Sequence, residues 1–329
     1  MIETVYIEKK VESYKYTKEI LYKVRPKNII ICKNYNEIFN KKNQNFRLQK
    51  KFPSIILAEK QKNLVLETPQ NFSIGGKNNY YFSHMLNCIY DCKYCFLQGM
   101  YNSANYVVFV NWKNFTDEIE RISNSFGNQK VYFFSGYDCD SLALEPITNF
   151  AKYFINFFKN YDNSILELRT KSTQTNFLDT IKPSNNIIIA FSMNPQTVIA
   201  KYESDTPSLS KRLNAILRLQ NLGWKVGLRF DPLLYEENYK EIYTNLFKEI
   251  SRKLQIKKIH SITIGSFRLP KPFYKKINKL YPREFPVKGN LIQDTTKNQY
   301  HEEKSNELIE FCHKELLKYF PEKLLFYNH

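Results

Sequence analysis

The chain of 329 residues carries 49 Lys and Arg against 32 Asp and Glu, a formal net charge of +17. Hydrophobic residues at 43% and aromatics at 16% exclude a disordered chain, nine glycines exclude a collagen-like one, and the length needs no disulfides to bury a core. No apolar run nears the roughly 18 residues of a membrane span, and the N-terminal stretch holds lysines but no apolar leader, so the expected location is the cytoplasm, with no membrane partner. Residues 5–7, 28–31 and 54–57 read as short strands between Lys- and Asn-rich loops; residues 40–51, basic and polar, read as a solvated loop. The glycine and asparagine run over 75–79 signals a turn, followed by a strand over 80–82.

From there strands and helices alternate. Strands are predicted at 106–110, 131–135, 165–170, 186–192, 225–230 and 260–265, and helices at 114–123, 144–159, 174–181, 208–222, 239–254 and 272–280. Gly223 stands where a glycine closes the helix before it. The alternation predicts about six βα units around a parallel sheet, fewer than the eight of a closed barrel. Residues 302–319 read as a charged amphipathic helix. With no internal repeat and no Pro/Ser-rich linker, the expected organisation is an N-terminal cap over 1–75, the βα units over 76–270 and a C-terminal extension over 271–329.

Six cysteines are present. Cys32, Cys139 and Cys312 are scattered and read as packed thiols. Cys88, Cys92 and Cys95 fall in one loop at C-x3-C-x2-C spacing, just after the strand over 80–82. In a reducing compartment that clustering favours a metal over a disulfide. A zinc ion wants four ligands, for which His84 is a candidate fourth. An iron–sulfur cube normally takes four cysteines; held by three, it leaves one iron open. An open iron can be chelated by the amino and carboxylate groups of S-adenosylmethionine (SAM), and an electron from the cube then splits the sulfonium to release a 5′-deoxyadenosyl radical. The protein's share of such chemistry is positioning and the exclusion of water.

Cys88, Cys92 and Cys95, followed by the aromatic Phe96, resemble the signature of the radical SAM superfamily. A closer likeness runs along the chain. Cys92-Lys-Tyr94-Cys95-Phe96-Leu97-Gln98 resembles C-H-Y-C-Y-L-Q of the spore photoproduct lyase family, and Val5-Tyr6-Ile7-Glu8 its V-Y-I-E start. The D-S-L-A-L-E run from Asp140 to Glu145, Phe191-Ser192-Met193-Asn194, Phe230-Asp231-Pro232 and residues 271–282 also follow in order. The resemblance implies an α/β fold, a partial (β/α)6 TIM-type barrel of the radical SAM type with an N-terminal α/β cap. It implies a [4Fe-4S] cluster, SAM, a one-electron reductant such as flavodoxin or ferredoxin, and reductive SAM cleavage that initiates repair of a thymine dimer lesion in DNA. By the same resemblance Cys88, Cys92 and Cys95 take the cluster-ligand places, and Tyr94, Gly136, Lys171, Ser192 and Asn194 the SAM-contact places.

Two positions depart from the family. The lyase has a cysteine that returns a hydrogen atom to the repaired thymine; Tyr137 stands in that place, in the run Ser135-Gly136-Tyr137-Asp138. Cys139 lies two residues on, and in an extended segment Tyr137 and Cys139 would share a face. Either is expected to serve as donor, the thiol more easily. Phe96 stands where the lyase has a tyrosine of its radical relay, which leaves a relay through Tyr94 alone or none.

A DNA partner needs a basic surface. Arg268, Lys271, Lys275, Lys276, Lys279, Arg283, Lys288 and Lys297 interleave with Tyr274, Tyr281 and Tyr300, a pattern suited to phosphate contact and stacking, with a hairpin turn expected at Lys288-Gly289-Asn290. Lysine outnumbers arginine by about four to one, so residue drift in an AT-rich genome explains the charge equally well. Two other readings stay open: a radical SAM enzyme acting on another nucleic acid or a peptide, and a non-catalytic nucleic-acid-binding iron–sulfur protein.

Overall fold

The computed structural model describes residues 2–69, 72–282, 291–293, 297–300 and 302–328. Two sheets organise the chain. The first has five strands in the order Asn28–Cys32, Thr4–Glu8, Ile55–Ala58, Tyr106–Phe109 and Met85–Leu86, parallel except for the last. The second has eight. Six of them, Asn78–Phe82, Val131–Ser135, Ser164–Thr170, Ile187–Ser192, Lys225–Leu233 and Ile259–Ser266, run parallel in chain order. Leu325–Tyr327 extends this set in parallel, and Val65–Glu67 closes the other edge antiparallel.

Five of the six parallel strands are buried along most of their length on both faces, as continuous apolar runs such as Ile187-Ile188-Ile189-Ala190-Phe191 require, while Asn78–Phe82 is half-buried up to Phe82. Ile187, Ile189 and Phe191 face outward into the large core shared with the helices, while Ile188 packs inside with Ile74, Phe134 and Ile165. Inner positions further along carry charge: Glu167 and Arg229 are both fully enclosed. Among the described residues no helix is long and apolar enough to cross a membrane.

Four expectations are corrected. The strand at 106–110 belongs to the first sheet, because it pairs with Ile55–Ala58 and Met85–Leu86; Asn78–Phe82 takes the first place among the six. The helix over 144–159 breaks in two at Asn149, whose φ of 55° is a left-handed value that asparagine tolerates. The Glu145 carboxylate accepts from the Ala151 and Lys152 amides and so caps the second piece. The short helix over 174–181 is a 3-10 turn, Asn176–Thr180. Residues 46–51, read as loop, form the helix Phe46–Lys51, started by the Asn45 side chain accepting from the Leu48 amide at 3.0 Å.

Candidate functional site

The C-terminal ends of the parallel strands open into a cavity of about 530 Å³, where the active sites of barrel folds sit. Cys88, Cys92 and Cys95 all line it. Their loop is clamped from three sides. Asp91–Cys92 pairs antiparallel with Glu203–Ser204, and the Lys93 amide donates to the Tyr202 carbonyl at 2.8 Å. Lys50 Nζ donates to the carbonyls of Cys88 and Tyr90 at 2.6 and 2.9 Å. Arg47 and the Tyr281 hydroxyl both hold the Asp91 carboxylate, and Gln98 donates to the Cys92 carbonyl. The helix that the sequence reading missed is therefore a support for the cysteine loop.

All three thiols are free. Burial pushes the Cys88 thiol up to about 12 and raises Cys92 and Cys95. Neutral thiols are what burial dictates; thiolates form there when a bound cation compensates the charge. Among the described residues no three His, Cys, Asp or Glu side chains converge on a single ion. The expected fourth zinc ligand also falls elsewhere: His84 stacks on Phe150 with ring centres 3.3 Å apart and sets Nδ1 3.8 Å from Cys139 Sγ. Three thiols around one open cavity fit a larger group, an iron–sulfur cube that bonds each cysteine through a different iron.

Behind the loop lies a buried ionic network. The Tyr94 hydroxyl donates to Glu203, which also pairs with the enclosed Arg212. The Asn194 amide donates to Glu203 at 2.8 Å and to the Tyr94 oxygen at 3.3 Å. Asn194 thus sits behind Tyr94 and is not among the cavity-lining residues, whereas Ser192, at the end of its strand, is. Lys171 also lines the cavity, its Nζ 5.8 Å from the Tyr94 ring centre. Burial works against its ammonium, but Glu203 and Cys92 outweigh that and raise its pKa. The Lys171 backbone is fixed by Asp140, whose carboxylate accepts from the Lys171 amide and the Thr170 hydroxyl, both at 2.6 Å.

The cavity lining also holds the two candidate hydrogen donors. The strand ends at Ser135, and Gly136, at φ +94°, bends the chain, so the segment is not extended as the shared-face argument required. Tyr137 and Cys139 nonetheless both line the cavity. Tyr137 is 39% exposed, its ring beside Tyr81 and Phe96 at 4.7 and 5.7 Å. Cys139 is buried and packs with the first sheet, against Val5, Ile7 and Met85. Arg169, Arg268 and Asp231 line the cavity too.

Of the basic stretch, Arg268 enters the cavity and Lys275, Lys276 and Lys279 are exposed on the helix Lys271–Leu280. Tyr281 is buried beneath the cysteine loop, so it offers no stacking platform. Arg283 and the 288–290 turn lie outside the described residues, as do the side chains of Lys297 and Tyr300. The backbone pairs Leu291–Gln293 antiparallel with Lys297–Tyr300, and Arg268–Pro270 joins them. Glu203, Arg212, Arg47 and Lys50 carry no motif that marks them; only their three-dimensional neighbours do.

A sequence profile described as "Spore photoproduct lyase" matches residues 1–328. The Bacillus subtilis spore photoproduct lyase is 27% identical over 216 residues, 65% of this chain and 62% of that one. The Geobacillus sp. enzyme is 24% identical over 71% of this chain and 72% of its own. The match thus spans somewhat under two thirds of the first relative's length. A spore photoproduct lyase complexed with dinucleoside spore photoproduct superposes with a TM-score of 0.84 at 20% identity, over 100% of this chain and 98% of that one. A variant with bound AdoMet and dinucleoside spore photoproduct superposes equally well. That likeness gives the fold, a partial TIM-type barrel.

Proposed function

Because the chain belongs to the spore photoproduct lyase family, we propose that it is a cytoplasmic lyase that repairs a methylene-bridged thymine dimer in DNA by radical SAM chemistry. The observation that carries the reading is the convergence of Cys88, Cys92, Cys95, Lys171 and Ser192 on one cavity at the strand ends. Cys88, Cys92 and Cys95 would hold a [4Fe-4S] cluster, which, with SAM and an electron from a carrier such as flavodoxin or ferredoxin, would supply the 5′-deoxyadenosyl radical that starts the repair.

The chain's own residues then have distinct tasks. Lys171 offers a cation to the SAM carboxylate, and Glu203 keeps it charged. Ser192 and the backbone at Gly136 complete the SAM pocket, while Tyr94 and Asn194, locked to Glu203, support the cluster loop from behind. Phe96 and Tyr137, whose rings lie 5.7 Å apart, put an apolar surface on the cavity lining that disfavours water. Cys139 or Tyr137 returns a hydrogen atom to the thymine radical, and Cys139 is the favoured donor because a thiol gives up its hydrogen atom to a carbon radical faster than a phenol does.

The test is anaerobic. The reconstituted protein receives reductant, SAM and an oligonucleotide carrying the lesion, and restored thymine and 5′-deoxyadenosine are followed together. Both should appear in wild type, and Cys139→Ala should divert the product while still releasing 5′-deoxyadenosine. Unchanged product in that variant removes Cys139 as donor. Deoxyadenosine without repair moves the substrate to another nucleic acid or a peptide, the reading favoured by Tyr137 in the thiol's place. DNA binding with no deoxyadenosine leaves a non-catalytic iron–sulfur protein.

A further inference from the structure

We propose that Arg169 binds the substrate directly: its guanidinium, where it faces the cavity, donates a hydrogen bond to an acceptor oxygen of the pyrimidine lesion. The inference rests on the lesion-repair reading above. Its basis is a mismatch of charges inside the barrel. Glu167 is enclosed, and Arg229 takes its carboxylate in a two-pronged pair, Nε at 3.1 Å and Nη2 at 2.6 Å. The remaining Arg229 donors are satisfied by the Leu228 and Ser261 carbonyls and the Ser261 hydroxyl. Arg169, on the same inner face of its strand, is left with one contact to Glu167, from Nε at 3.4 Å. Two guanidinium groups therefore share one carboxylate.

The surplus falls on the cavity. Arg169 is a lining residue, its side chain 19% exposed, and its Nη2 is buried with no partner among the described residues. Phe72 covers the guanidinium with its ring centre 5.1 Å away, which holds the plane in place. A guanidinium left short of partners is costly, and one whose exposed part lines a ligand cavity gains a partner when the ligand brings an acceptor. Arg268, also lining the cavity, differs: it pairs with Asp231 at 3.4 Å and donates to the Ser266 carbonyl at 3.1 Å. Tyr137 lines the same cavity as both arginines, so a ligand that Arg169 reaches also faces the residue in the hydrogen-donor place. A thymine carbonyl and the bridging phosphodiester both offer that acceptor chemistry.

The test is equilibrium binding, read apart from turnover, on cluster-loaded protein with SAM. Two probes are used: the methylene-bridged lesion as a dinucleoside, and the same lesion with its bridging phosphate. Arg169→Gln should weaken binding roughly tenfold to a hundredfold, the range for a lost charge-assisted hydrogen bond. Arg169→Lys keeps the charge without the planar fork and should recover only part. Equal loss on both probes assigns the acceptor to a carbonyl; loss on the phosphate-bearing probe alone assigns it to the phosphodiester. Both variants binding both probes as wild type does would overturn the proposal and leave the proposed function standing, even where melting temperature falls. Wild-type protein that binds neither probe overturns both. Should Arg169→Gln not fold, Arg169→Lys decides, and unchanged affinity there is again the overturning result.

Discussion

Gly136 holds φ at +94°, and a Cβ added there would lie 2.7 Å from Ser141 Oγ and 2.8 Å from the Arg169 carbonyl. Gly136→Ala should therefore cost about 1–3 kcal/mol, read as a shift of the urea midpoint at unchanged slope, and should displace Tyr137 from the cavity wall. Glu203 is the other residue on which the site turns. Burial alone would raise its carboxyl, but Arg212 and Lys171 outweigh it and hold it at about 2, against an ordinary 4.5. A depressed carboxyl stabilises the fold fully above about pH 4.5, and that contribution is lost as pH falls through about 2. Glu203→Gln should abolish this part of the acid dependence in a stability–pH series. It should also cost about 3–5 kcal/mol at neutral pH, because Arg212 stays buried without a countercharge. A variant with wild-type acid dependence would assign the network no role in folding. That Cys88, Cys92 and Cys95 lie together was readable because a motif of eight residues in one loop needs no tertiary information. Glu203 was not, since its partner Tyr94 lies 109 positions away in the chain.

At the level of elements, the helix Phe46–Lys51 shows why local pattern misleads. Its polar, basic sequence has no apolar stripe, so periodicity sees a loop; its stability comes from Asn45 at its start and from its contacts to the cysteine loop. Lys50→Met removes both bonds to the Cys88 and Tyr90 carbonyls while keeping the aliphatic stem. The fold should persist, but iron retention after chelator challenge should fall roughly 10–100-fold, as for other partners that orient metal ligands from behind. Retention equal to wild type would show that strand pairing with Glu203–Ser204 suffices. The strand Tyr106–Phe109 teaches a related lesson. Its own sequence declares a buried strand, but the choice of sheet was made by Ile55–Ala58 and Met85–Leu86, which no local signal announces.

For the molecule as a whole, the net charge of +17 and the exposed Lys275, Lys276 and Lys279, on the helix whose Phe273 lines the cavity, bear on DNA binding. If about 6–10 phosphates are contacted, affinity for duplex DNA should drop about 10³–10⁵-fold between 50 and 200 mM salt. Changing Lys275 and Lys279 together to Glu should flatten that slope. A salt response that is flat already in wild type would assign the charge to composition alone.

What the sequence determined by itself is what short-range chemistry encodes: strands and helices from apolar period, six βα units from their alternation, and three cysteines kept close by one tight loop. Tertiary structure alone decided which strand heads the barrel, that the loop is not extended between Tyr137 and Cys139, and that His84 belongs to Cys139 and not to the other cysteines. It also decided the charge balance of the interior, where one carboxylate meets two guanidinium groups. The reason is physical. Periodicity and turn chemistry act over a few residues, whereas desolvated ion pairs form between residues brought together only by the closed fold, so their partners are invisible until the chain is folded.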